Sequence, residues 1–169
     1  MKQHSKIFLI GFMGSGKTTL GRKLANKLNQ PFFDLDAEIE RLEGEVVSGI
    51  FEKNGENYFR KVESEVLRKI INEHASFVMA VGGGTPCHCN NMEMINQSGT
   101  SIYLKYNAGI LTSRLINAKT KRPLIKNLNE EELIVFVENK LVERELFYEQ
   151  SNFVVEKTNI KVENLWFFL

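Results

Sequence analysis

Gly11-Phe12-Met13-Gly14-Ser15-Gly16-Lys17-Thr18 follows the apolar run Ile7-Phe8-Leu9-Ile10 and leads into a segment with helical spacing. It fits G-x-x-x-x-G-K-[ST], the phosphate-binding loop. Its glycines permit backbone conformations that a Cβ obstructs, so successive N–H groups can turn toward one anion. The helix that follows adds the partial positive charge of its N-terminus. In such a loop Lys17 reaches the β- and γ-phosphates and the Thr18 hydroxyl ligates Mg²⁺. A glycine-rich turn that merely contains Lys-Thr is the competing reading. The strand pattern before the loop and the helix pattern after it favour the phosphate loop.

Outward from the loop, Leu20, Leu24 and Leu28 recur every four residues among lysines and arginines, which predicts an amphipathic helix ended by Asn29 and Pro31. Pro31-Phe32-Phe33-Asp34 predicts a second strand running into Asp34-Leu35-Asp36, two carboxylates at a strand's carboxyl end, where open α/β sheets bind ligands. Ala37–Leu42, Val46–Phe51 and Phe59–Ile71 predict helices, the last two separated at Asn54-Gly55. Phe59, Val62, Val66, Leu67, Ile70 and Ile71 form one apolar stripe, with Arg60 beside it and Glu63 placed to orient it at i, i+3. Taken alone, Arg60 reads as a solvated helix charge.

Phe77–Val81 predicts a third buried strand, followed by Gly82-Gly83-Gly84, which permits close approach of backbone to a partner. Ser101–Lys105 and Phe153–Val155 predict two more strands, and Ile110–Ile116 a helix with Arg114 on its polar side. Residues 117–129 are basic and broken by Pro123, and they read as a linker or as a lid that closes on phosphates. Asn129-Glu130-Glu131-Glu132 opens a helix whose inward side carries Leu133, Val137 and Leu141, then Arg144 and Tyr148. Trp166-Phe167-Phe168 reads as packing residues of a short tail. Strands alternating with helices predict a three-layer α/β/α fold on a five-stranded parallel sheet, without repeats or a second domain.

With 169 residues the chain has the length of one domain, and 43% hydrophobic with 25% charged residues is close to the globular average. A net charge of +1 argues against a basic nucleic-acid footprint or a polybasic membrane patch. The run before the loop is too short for a membrane helix and lacks a cleavage-site pattern, so a soluble cytoplasmic protein is expected, as a monomer. Cys87 and Cys89 flank His88, but structural zinc takes about four ligands, usually in separated pairs, so these read as loop residues.

Taken together, the residues resemble the shikimate kinase family, within the nucleoside-monophosphate-kinase-like group of P-loop proteins. The carriers are Gly11–Thr18, Asp34-Leu35-Asp36, Gly55–Glu63, Gly82–Gly84, Arg122-Pro123-Leu124-Ile125 and Arg144–Tyr148, in matching order over residues 6–158. The resemblance implies a single kinase domain over residues 1–169, with an acceptor-binding helical segment at about 34–63 and a lid at about 117–129. It implies transfer of the ATP γ-phosphate to the 3-hydroxyl of shikimate, with Mg²⁺ as cofactor and with ATP and shikimate as partners. By the same resemblance Arg60, Arg144 and Gly83 bind shikimate, and Glu63 holds the arginines in place. Asp36 binds the ring hydroxyls and orients the attacking one. Gly14, Ser15, Gly16, Lys17, Thr18 and Thr19 hold the ATP phosphates, and Arg114 packs on adenine. Thr18 and Asp34 serve the metal. Lys17, Asp36 and Arg122 are the catalytic set, with Arg122 reaching the phosphates when the lid closes. The sequence departs from the family at Ala80 and Val81, where many members carry Ser or Thr, and Thr85–Cys89 matches no assigned motif. A related kinase acting on gluconate or a nucleoside monophosphate, or a P-loop regulatory ATPase, remains the alternative. The two arginines with Asp36 suit a hydroxy acid better than a nucleotide.

Overall fold

The computed structural model describes residues 6–118 and 125–168. Strands β1 (Lys6–Ile10), β2 (Phe32–Asp34), β3 (Phe77–Ala80), β4 (Gly99–Lys105) and β5 (Phe153–Glu156) form one sheet in the order β2-β3-β1-β4-β5. Every pairing is parallel, with Leu9 opposite both Ala80 and Ile102 and Asp34 opposite Ala80. Successive side chains of a strand point to opposite faces. Since Ile7, Phe8, Leu9 and Ile10 are all buried, both faces of the sheet are covered, and so the sequence shows an unbroken apolar run there. The expected five-stranded parallel α/β architecture is the one found.

Helix α1 (Lys17–Leu28) begins at Gly16 and stops at Asn29, whose left-handed conformation at φ 53° brings its N–H back to the Ala25 and Asn26 carbonyls. Helix α2 (Leu35–Glu43) is capped by Asp34 and ended by Gly44 at φ 67°. Helix α3 (Val47–Glu73) is two helices joined at Gly55, which is extended at φ 80° and ψ 170°, so the separation expected at Asn54-Gly55 is present as a kink. The stripe from Phe59 to Ile71 is buried as expected, and Glu63 and Ser64 are buried with it.

One helix lies where none was expected. Helix α4 (Asn91–Ser98) is anchored by Met92 and Ile95, too few apolar positions to establish a period. A single 3₁₀ turn at Thr85–Cys87 precedes it. Helix α5 (Ala108–Ile116) is capped by Asn107, and helix α6 (Glu130–Tyr148) opens with a reciprocal capping box between Asn129 and Glu132. Residues 119–124, and with them Arg122 and the middle of the expected lid, lie outside the described part of the chain. After β5, helix α7 (Val162–Leu165) leads into a 3₁₀ turn over Trp166–Phe168. The expectation for this tail needs correction. Phe168 stacks on Phe153 at 4.6 Å, but Phe167 is 88% exposed and Trp166 51%. Among the described residues, no helix is long and apolar enough to cross a membrane.

Candidate active site

The sheet order changes direction between β1 and β3, and the crevice at the carboxyl ends of those two strands is where open α/β sheets bind ligands. The loop after β1 is Gly11–Thr18 and the loop after β3 is Gly82–Gly84. Gly14 and Gly16 sit at φ 80° and 87°, the left-handed conformations that turn consecutive N–H groups inward. Lys17 Nζ reaches back across the loop to the Gly11 and Phe12 carbonyls at 2.7 and 2.9 Å, which keeps the ammonium at the loop's mouth. Ser15 Oγ is buried and has no hydrogen-bond partner among the described residues.

Thr18 Oγ1 donates to Asp34 Oδ2 at 2.7 Å. The other oxygen of Asp34 accepts from the Ala37 N–H at 3.4 Å, so one carboxylate caps α2 and meets the hydroxyl of α1. A hydroxyl and a carboxylate side by side at the phosphate loop form a hard oxygen pair. Mg²⁺ takes one or two such protein groups together with substrate phosphates, so the residues fit it. Asp34 pairs with Ala80, and no side-chain oxygen comes from that position of β3.

Beyond the loop, a cleft of about 830 Å³ is lined by Gly14, Ser15, Gly16 and Thr19 on one side and by Arg114, Tyr106 and Asn159–Lys161 on the other. The Arg114 guanidinium lies 4.1 Å from the Tyr106 ring centroid and donates to the Gly14 carbonyl at 3.4 Å. The Tyr106 hydroxyl accepts from the Ile160 N–H at 3.0 Å, tying the segment after β5 to this wall. That bond is made by the Ile160 backbone N–H, which no side-chain pattern in the sequence encodes.

The three glycines are the seat of the second half of the site. A Cβ built on Gly82 would lie 2.9 Å from both Asp36 Oδ1 and Thr85 Oγ1 and 3.1 Å from Glu63 Oε1. On Gly83 it would lie 3.2 Å from Arg144 Nη1, and on Gly84 2.5 Å from Arg60 Nη2. Each glycine therefore makes room for a different polar side chain, and Asp36, Arg60 and Arg144 converge on this one loop. The same Gly83 position is 3.6 Å from the Met13 N–H nitrogen, so the triple glycine abuts the phosphate loop. Arg144 also lies over the Phe12 ring at 5.5 Å.

Arg60 is held from several sides. Its Nη1 donates to Glu63 Oε2 at 2.9 Å, and its Nε and Nη2 donate to Glu56 Oε1 at 3.3 and 3.2 Å. Its guanidinium lies over Phe59 and Phe51 at 5.3 and 5.8 Å. The solvated-charge reading of Arg60 does not survive, since its side chain is only 13% exposed. Glu63 was expected to hold both arginines. Its two oxygens instead bond Arg60 and Thr85, while Arg144 lies against Phe12 and Gly83.

Three residues of this region escaped sequence reading as contributors: Thr85, Asn91 and Tyr148. Tyr148, at the end of α6, is fully buried and donates its hydroxyl to the Gly83 carbonyl at 2.5 Å. Its place on the inward side of α6 was legible, but its partner was not. Burial pushes its phenol well above the usual tyrosine range, against the opposing pull of Arg144. Cys87 is likewise pushed up by burial, and burial with nearby Arg60 pushes His88 down, so neither thiolate nor imidazolium is favoured beside the arginines. Among the described residues, no three His, Cys, Asp or Glu side chains form a group that could hold a metal ion.

A phosphate loop opening α1, an oxygen pair beside it and a cationic pocket at the sheet's switch point define a P-loop phosphotransferase. The family model described as shikimate kinase matches residues 13–166. A shikimate kinase of Azobacteroides pseudotrichonymphae genomovar. CFP2 is 48% identical over 164 residues, 95% of this chain and 96% of that one. A crystal structure of shikimate kinase from Bacteroides thetaiotaomicron superposes with a TM-score of 0.93 at 35% identity, covering 97% of each chain. A shikimate kinase from Acinetobacter baumannii, in complex with shikimate, superposes with a TM-score of 0.84 at 35% identity over 97% of this chain and 89% of that one. The chain belongs to the shikimate kinase family of ATP-dependent phosphotransferases.

Proposed function

We propose that this chain transfers the γ-phosphate of ATP to the 3-hydroxyl of shikimate, giving shikimate 3-phosphate and ADP. The observation that carries the reading is the convergence of Asp36, Arg60 and Arg144 on Gly82–Gly84, directly beside the phosphate loop. Shikimate presents one carboxylate and three hydroxyls. Two guanidinium groups suit the carboxylate, because each offers paired donors in fixed geometry. The Asp36 carboxylate accepts from ring hydroxyls and turns the 3-hydroxyl toward the γ-phosphate.

In the transfer, the 3-hydroxyl oxygen bonds to the γ-phosphorus while the bond from that phosphorus to the β,γ-bridging oxygen breaks. The hydroxyl proton passes to Asp36 or to solvent, and ADP keeps the bridging electron pair. Phosphoryl transfer asks mainly for positioning and charge neutralisation. Lys17 supplies the latter from the loop, and the N–H groups of Gly14–Thr19 cradle the phosphates. Arg114 packs on adenine. Thr18 and Asp34 would hold Mg²⁺, which when bound offsets charge on the β- and γ-phosphate oxygens. Arg122, outside the described residues, is assigned to the transferring phosphoryl group on the family resemblance, as the tip of a lid at about 117–129. We also read the protein as one kinase domain over residues 1–169, cytoplasmic and monomeric, a state that light scattering on the purified protein would test.

The deciding experiment is coupled ADP release from Mg-ATP across shikimate, gluconate and nucleoside monophosphates. Shikimate alone is expected to drive turnover; turnover with another acceptor and none with shikimate overturns the reading. Within that assay Arg60→Ala is expected to raise KM for shikimate by roughly 10²-fold, as for losing a charged hydrogen-bond partner, with KM for ATP near the parent value.

A further inference from the structure

Thr85, directly after the triple glycine, belongs to a buried polar chain that ends at Arg60. Ser64 Oγ donates to Asn91 Oδ1 at 2.7 Å, and Asn91 Nδ2 donates to the Thr85 carbonyl at 3.0 Å. Thr85 Oγ1 donates to Glu63 Oε1 at 2.6 Å, and Arg60 Nη1 donates to Glu63 Oε2 at 2.9 Å. Thr85 and Asn91 are fully buried, Glu63 is 1% exposed and Ser64 7%.

The chain is closed at its inner end by the fold. The Thr85 N–H donates to the Gly82 carbonyl at 3.2 Å, and Thr85 opens the 3₁₀ turn that follows. A buried carboxylate is tolerated only when its oxygens are bonded. Glu63 divides its oxygens, one to a neutral hydroxyl and one to Arg60, and that division sets where the guanidinium points.

We infer that Thr85, backed by Asn91, is a positioning residue for acceptor binding: its hydroxyl holds Glu63 in the rotamer that aims Arg60 at the acceptor carboxylate. Without the hydroxyl, Glu63 Oε1 loses this donor. The carboxylate then turns to offer both oxygens to Arg60 and draws the guanidinium away from Gly84. The inference rests on Arg60 being an acceptor-carboxylate ligand.

The test compares Thr85→Val, which keeps the shape and removes the donor, with Thr85→Ser, which keeps the donor. Thr85→Val is expected to raise KM for shikimate roughly tenfold, the scale of one unmade buried hydrogen bond, with KM for ATP unchanged. Thr85→Ser is expected to restore KM for shikimate to within about twofold, a change too small to reflect a lost buried bond. Equal effects on both substrates, an unaltered KM for shikimate, or no rescue by Thr85→Ser would overturn the inference. If Thr85→Val does not fold, Thr85→Ala, which also removes the donor, is read by the same criteria. A wild-type protein that releases no ADP with shikimate defeats the assigned function instead. An active wild type with indifferent Thr85 variants defeats only this positioning role.

Discussion

Gly84 has an ordinary φ of −91°, so a side chain there is refused by space and not by backbone strain. A methyl at that position falls 2.5 Å from Arg60 Nη2, inside any tolerated contact. Arg60 is pinned by Glu63, Glu56 and two aromatic rings, so it has little slack with which to yield. Gly84→Ala is therefore expected to raise KM for shikimate about tenfold or more, the scale of one disturbed charged hydrogen bond, with KM for ATP held. Steady-state kinetics in both substrates checks it, and an unchanged shikimate KM would show that Arg60 is free to shift. Gly83 differs in kind, because its carbonyl is fixed by Tyr148 and its open side by Arg144.

At the scale of elements, the kink in α3 at Gly55 separates the helical turn that carries Phe51 from the long stripe that begins at Phe59. Phe51 and Phe59 then meet with ring centroids 4.5 Å apart beneath Arg60. Gly55 makes this possible with torsions at φ 80° and ψ 170° that are nearly exclusive to glycine, and nothing lies within 4 Å of a Cβ there. Gly55→Ala thus isolates the torsional cost. It is expected to destabilise the fold by about 1–3 kcal/mol, lowering the melting temperature by roughly 3–10 °C for a chain of this size. A thermal melt that does not move would mean that the kink is held by packing alone. Helix α6 shows the complementary case: its start is written locally in Asn129 and Glu132, while its end matters for what Arg144 and Tyr148 touch.

For the whole molecule, Tyr148 joins the last turn of α6 to the centre of the sheet, 5.1 Å from the Tyr103 ring of β4. Both phenols hold their protons more tightly in the fold than in the unfolded chain, Tyr148 through burial and Tyr103 through burial with Glu145 close by. A group whose pKa rises on folding contributes stability below its unfolded pKa and loses it as pH climbs toward the folded value. Denaturant midpoints are therefore expected to fall above about pH 10, where free tyrosine ionises. Tyr148→Phe should make that decline shallower whatever its midpoint at neutral pH. Parallel declines for the two proteins would sink the assignment.

The sequence by itself determined the phosphate loop and the alternation of strands and helices, and its family resemblance singled out Asp36, Arg60 and Arg144 as the expected acceptor ligands. Each is signalled within a few neighbouring residues, by glycine spacing, by apolar period or by a family motif. Only the tertiary structure decided that Gly82, Gly83 and Gly84 each yield to a different side chain, that Glu63 divides its oxygens between Arg60 and Thr85, and that Tyr148 fixes Gly83. Helix α4 belongs with these, since Met92 and Ile95 are too brief a pattern until the sheet supplies their partners. The physical reason is the same throughout. A hydrogen bond between Tyr148 and Gly83 spans 65 residues of chain. No local pattern encodes such a pairing until β1, β3 and β4 are set side by side.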